Sequence, residues 1–78
     1  METEIYETSD IALASYLLAS GIPLLSLNRN NPRRAIFVFE SPPPELVSTW
    51  QQGTATVNAL AYYNSYQSLK SMVFRSER

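Results

Sequence analysis

The residues able to do chemistry are few and narrow in type. Glu2, Glu4, Glu7 and Asp10 put four carboxylates in the first ten positions, and Arg29, Arg33 and Arg34 put three guanidinium groups within six. Tyrosines stand at 6, 16, 62, 63 and 66, and the one tryptophan is Trp50. Paired carboxylates act as general acid and base, or hold a hard cation when a loop collects about six oxygens. Glu7 and Asp10 do not have the spacing of a cation loop, and no base or nucleophile accompanies them. Helix capping accounts for Asp10, and exposure to solvent accounts for the glutamates. The chain holds no cysteine and no histidine. Thiolate and imidazole metal ligands, Cys-His pairs and the Ser-His-Asp triad are thereby excluded. Gly21 and Gly53 are the only glycines, so no glycine-rich loop is present to cradle a phosphate. The expectation is a protein that is not an enzyme and takes no cofactor and no metal.

What remains is the chemistry of surfaces. Guanidinium groups on a protruding β-ribbon bind phosphates, which makes Arg29, Arg33 and Arg34 the candidate nucleic-acid contact. The plainer reading is that turns are polar and that arginine on an exposed strand discourages edge-to-edge aggregation. Trp50, Tyr62, Tyr63 and Tyr66 lie in or beside a stretch from Leu46 to Leu69 without a single charge. Aromatic enrichment with charge depletion marks the core of protein contacts, so these four are the candidate interface residues. The competing reading is intramolecular, with Tyr62 and Tyr66 on the buried side of their own helix. The alternation Arg34-Ala35-Ile36-Phe37-Val38-Phe39 echoes the aromatic strand of RNA-recognition modules, but it lacks that motif's glycine and its partner strand. Phe37 and Phe39 are instead expected under the C-terminal helices.

The elements that must position these side chains follow from periodicity and punctuation. A short strand at Ile5 to Glu7 leads to a helix over Ile11 to Ser20, started by Thr8, Ser9 or Asp10 and stopped by Gly21 and Pro23. Leu13, Ala14, Leu17 and Leu18 give it a core face. Ala12, Ser15 and Ala19 make another side small enough for a second element to approach closely. Leu24 to Asn28 and Ala35 to Glu40 read as a hairpin with a polar turn from Arg29 to Arg33. The first strand either lies parallel to Leu24 to Asn28 by a crossover or pairs with the Phe37 strand. Pro42, Pro43 and Pro44 end the hairpin and open a helix to Gln52, with Leu46, Val47 and Trp50 as its apolar stripe and Gly53 as its stop. Thr54 or Thr56 then caps a longer helix from Val57 to about Phe74, whose buried stripe is Tyr62, Tyr66, Leu69 and Val73. The fold class is α+β, a small three-stranded sheet with helices packed on it in the order β-α-β-β-α-α.

The run Tyr6-Glu7-Thr8-Ser9-Asp10, the helix Leu13-Ala14 to Leu17-Leu18-Ala19-Ser20-Gly21 and the Ile36-Phe37-Val38-Phe39 strand together resemble a family of small bacterial and phage domains of unknown function. That family reads Y-x-T-x-D, then a Leu/Ala helix ending in Gly, then a hairpin with an F-x-F arm. It continues with a Trp-x-x-Gly helix, here Trp50 to Gly53, and a closing Leu-Lys helix, here Leu69-Lys70. The turn containing Asn30-Asn31-Pro32 and the proline run depart from that pattern. The resemblance implies the same fold, no stated activity, and accessory binding roles rather than catalysis.

Size and charge set the frame. The 78 residues, 45% of them hydrophobic, suit one domain over 1–78. A core this small leaves a narrow stability margin, which makes a homo-oligomer or a protein partner the expected association. The net charge of −1 argues against binding nucleic acid over the whole surface and leaves room for a local basic patch. No apolar run is long enough to span a bilayer and the N-terminus is acidic, so no membrane association and a cytoplasmic location are expected.

Overall fold

The computed structural model describes residues 4–31 and 34–75, with the backbone alone at 30, 31, 34 and 75. Its elements are β1 (Ile5–Thr8), α1 (Ile11–Ala19), β2 (Leu24–Asn31), β3 (Arg34–Glu40), α2 (Pro44–Gln52) and α3 (Ala59–Arg75). The β-α-β-β-α-α order and the α+β class are as expected from the sequence.

Local chemistry explains the boundaries. The Asp10 side chain accepts from the amides of Ala12 at 2.9 Å and Leu13 at 3.4 Å, which caps α1. At the other end, Gly21 at φ 93° lets its own amide reach Leu18 and the Ile22 amide reach Leu17, closing the last turn in a Schellman motif. Gly53, at φ 77°, does the same for α2 through the Gly53 and Thr54 amides. Pro44 opens α2, where its missing amide costs no hydrogen bond. The start of α3 differs from expectation: Asn58, not Thr54 or Thr56, accepts from the Ala61 amide at 2.9 Å. Asparagine caps at least as well as threonine, and the Thr54 hydroxyl donates instead to the Thr49 carbonyl at the end of α2.

The sheet order is β1-β3-β2, antiparallel throughout. Of the two pairings open for β1, the one with the Phe37 strand is adopted, with Tyr6 opposite Phe39 and Thr8 opposite Phe37. β3, apolar on both sides, takes the centre, where a two-sided apolar strand is best covered. β2 and β3 run further than the sequence implies, to an Asn31–Arg34 pair, with register shifts between Leu24 and Ser26 and between Asn28 and Asn31. Irregular pairing of this kind absorbs extra residues without ending the ladder. Arg29 and Arg34 therefore lie on strands, and Arg33 lies outside the described residues.

One side of the sheet carries the core. Leu13, Ala14, Tyr16 and Leu17 of α1, Phe37 and Phe39 of β3 and Leu69 of α3 form one buried cluster, flanked by Leu46 and Trp50 of α2 and by Tyr62, Met72 and Val73 of α3. All three helices thus contribute to the Phe37 and Phe39 side. α3 is the element that approaches the small side of α1: its Tyr62 hydroxyl donates to the Ala12 carbonyl at 3.2 Å. Ser15, fully buried there, donates its own hydroxyl to the Ile11 carbonyl at 2.7 Å.

Candidate interaction surface

Three of the four candidate interface residues already have partners within the chain. Trp50 stacks on Tyr16 with ring centroids 5.2 Å apart and planes at 26°. The hydroxyl of that same Tyr16 lies 3.4 Å from the Thr49 hydroxyl, so α1 and α2 meet through two adjoining contacts. Tyr62 is half-buried against the core. Its hydroxyl pKa is raised, first by burial and then by the negative charge of Asp10 and by Tyr66. Tyr66 is half-buried beneath Lys70, whose ammonium sits 5.4 Å from the ring centroid, within cation–π range. Only Tyr63 stands out into solvent, 58% exposed.

Tyr63 is not alone. Leu60 is 67% exposed and Phe74 is 62% exposed on the same helix. At 100° per residue, Leu60, Tyr63, Gln67 and Phe74 fall within one third of the helix circumference. Leu69, Tyr62 and Val73 occupy the opposite side, facing the core. The outward side of α3 thus carries three exposed apolar side chains, Leu60, Tyr63 and Phe74, set among Asn64, Gln67, Lys70 and Ser71. The outward residues are in the sequence, but periodicity favoured the stripe with the larger tyrosine content and gave no reason to pick out Leu60 and Phe74.

Arg29 is placed differently from a bare turn. The Arg29 guanidinium donates to the Val73 carbonyl at 2.9 Å, which brings β2 against the last turn of α3. That contact sets Arg29 at the end of the helix where Lys70 and Arg75 occur in the sequence. A small open hollow of about 250 Å³ is bordered by Trp50, Gly53 and Ala55. None of these three residues titrates. Among the described residues no three carboxylates gather as metal ligands, and no helix is long and apolar enough to cross a membrane.

Residues 3–75 match the family described as Domain of unknown function (DUF5659). No curated protein and no solved structure matches the chain.

Proposed function

The chain belongs to the DUF5659 family of domains of unknown function, and on that premise we propose that it is a non-enzymatic interaction module that associates with itself. The observation that carries this reading is the outward side of α3, where Leu60, Tyr63 and Phe74 are each more than half exposed in a helix with no carboxylate. Three large apolar side chains exposed on one side of a helix gain by burial, and the polar side chains between them suit the rim of a protein contact. Light scattering over a concentration series tests it. A mass that rises from one chain to two supports self-association; a strictly monomeric mass at millimolar concentration rejects it. A bacterial or phage setting, with the cytoplasm as the compartment, belongs to the same proposal.

A second reading has its own observation. The Arg29 to Val73 hydrogen bond brings β2 against the end of α3, which supports a small nucleic-acid-associated protein that uses Arg29, Arg33 and Arg34, with Lys70 and Arg75 as helpers. Retardation on a random duplex at low salt, lost in the triple alanine variant of Arg29, Arg33 and Arg34, would favour this reading over the first. Affinity capture from cell extract with and without nuclease separates the two.

A further inference from the structure

Resting on the self-association reading, we propose that the contact is α3 against α3 of a second copy, antiparallel, with Gln67 on the two-fold axis. Leu60 and Phe74 each lie seven residues from Gln67, and both are more than 60% exposed. A two-fold rotation through Gln67 therefore exchanges their positions. Antiparallel pairing sets Leu60 beside the partner's Phe74 at both ends of the contact, about 10 Å from the axis at a rise of 1.5 Å per residue. Tyr63, four residues before the centre, meets the position of Ser71 four residues after it, a large ring against a small side chain. The stripe is its own complement, which is the requirement of an isologous interface.

Charge sets the direction. A parallel pair would bring Lys70 beside the partner's Lys70 and align the two helix dipoles unfavourably. The antiparallel pair separates the lysines and sets each helix C-terminus, where Lys70 and Arg75 lie, beside the uncharged N-terminal half of the other. A shallow crossing of about 20° keeps residues spaced by seven in register along both helices. Covering what is still exposed of Leu60, Tyr63 and Phe74 on both copies removes several hundred Å² of surface, at about 150–250 Å² for a fully covered aromatic side chain, and with the polar side chains between them the contact stands at the low end for a specific one. The dimer is accordingly weak, forming at micromolar concentration or above.

The test uses the absence of cysteine from the chain. Gln67→Cys places two thiols across the axis, within bridging distance of each other. Asn64→Cys, three residues off centre on the same side, holds its two thiols about 9 Å apart along the helices, beyond the reach of a disulfide. Under mild oxidation at concentrations where the wild type associates, Gln67→Cys is expected to cross-link at least tenfold faster than Asn64→Cys. Leu60→Glu and Phe74→Lys should each raise the half-association concentration at least tenfold. Mixing the two variants should recover most of the loss, because the carboxylate introduced at position 60 of one copy then meets the ammonium introduced at position 74 of the other. Circular dichroism checks that these exposed substitutions leave the fold intact. If the wild type associates but Gln67→Cys does not cross-link preferentially and Leu60→Glu associates normally, the α3 pairing is overturned while self-association stands. Cross-linking of Asn64→Cys as fast as Gln67→Cys, or no recovery on mixing, overturns the antiparallel register. A wild type that stays monomeric overturns both the register and the reading on which it rests.

Discussion

The Arg29 guanidinium donates to the Val73 carbonyl at 2.9 Å across 44 residues of chain. Val73 is within the last turn of α3, where carbonyls have no partner inside the helix and the dipole is negative. The contact thus satisfies an orphan acceptor, sets a cation at the favourable end of a dipole and ties β2 to a helix whose main packing partner is α1. An arginine that looks like a loose charge near a hairpin tip is part of the joint between hairpin and helix.

Replacing Arg29 with Met keeps much of the aliphatic stem and removes the donor. The expected loss is about 1–2 kcal/mol, the usual worth of a charged, partly buried hydrogen bond, and Arg29→Lys should recover part of it. Urea denaturation followed by Trp50 fluorescence measures both; equal midpoints for wild type and Met variant would show that the contact contributes nothing.

Asp10 caps α1 through two amides. Asp10→Ala is expected to destabilise by about 1 kcal/mol, whereas Asp10→Asn, which keeps the acceptor and drops only the charge, should lose a few tenths. Guanidinium denaturation at neutral pH separates the two, and identical losses would assign the effect to charge alone.

Tyr62 holds its proton more tightly when folded, because burial and the Asp10 charge disfavour the phenolate. With the folded pKa above the unfolded value of about 10, the contribution to stability is complete below pH 10 and is lost as pH rises through the folded value. Ionisation also removes the proton that Tyr62 donates to Ala12. In an alkaline absorbance titration, Tyr62→Phe should abolish a late-titrating phenol, and its stability should fall less between pH 9 and 11 than that of the wild type. A wild-type curve in which all tyrosines titrate together would refute this.

The Tyr16 ring and its hydroxyl are worth different amounts. The hydroxyl lies 3.4 Å from Thr49, at the edge of hydrogen-bonding distance, so Tyr16→Phe should cost less than about 0.5 kcal/mol. The ring stacks on Trp50, and Trp50→Leu should cost about 1–2 kcal/mol through lost area and lost stacking. Thermal unfolding by circular dichroism tests the order, and a Phe variant as unstable as the Leu variant would reverse it.

Much of the fold was legible in the chain because its signals are local. Gly21 and Gly53 take the left-handed conformations their positions ask for, Asp10 caps α1, Pro44 opens α2, and Phe37 and Phe39 are buried in the core cluster. Local signals misplace only what several residues can do equally well: Asn58 in place of Thr54 or Thr56 as the cap of α3, and ladder pairing carried on to Asn31 where a turn was expected to begin. Of the four candidate interface residues Tyr63 is exposed, whereas Trp50, Tyr62 and Tyr66 are engaged with Tyr16, Ala12 and Lys70, contacts between distant elements that spacing along the chain does not reveal.

By itself the sequence determined the elements, the side chains able to fill a core and the exclusion of cysteine and histidine chemistry, since each depends on residue type and short-range spacing. The tertiary structure alone decided that β1 joins β3, that Arg29 reaches Val73, and that Leu60, Tyr63 and Phe74 stand exposed together on α3. Periodicity picks out the stripe of α3 that holds Tyr62, Leu69 and Val73, but only packing of that stripe against α1 and the sheet shows which apolar side chains, Leu60, Tyr63 and Phe74, are left exposed.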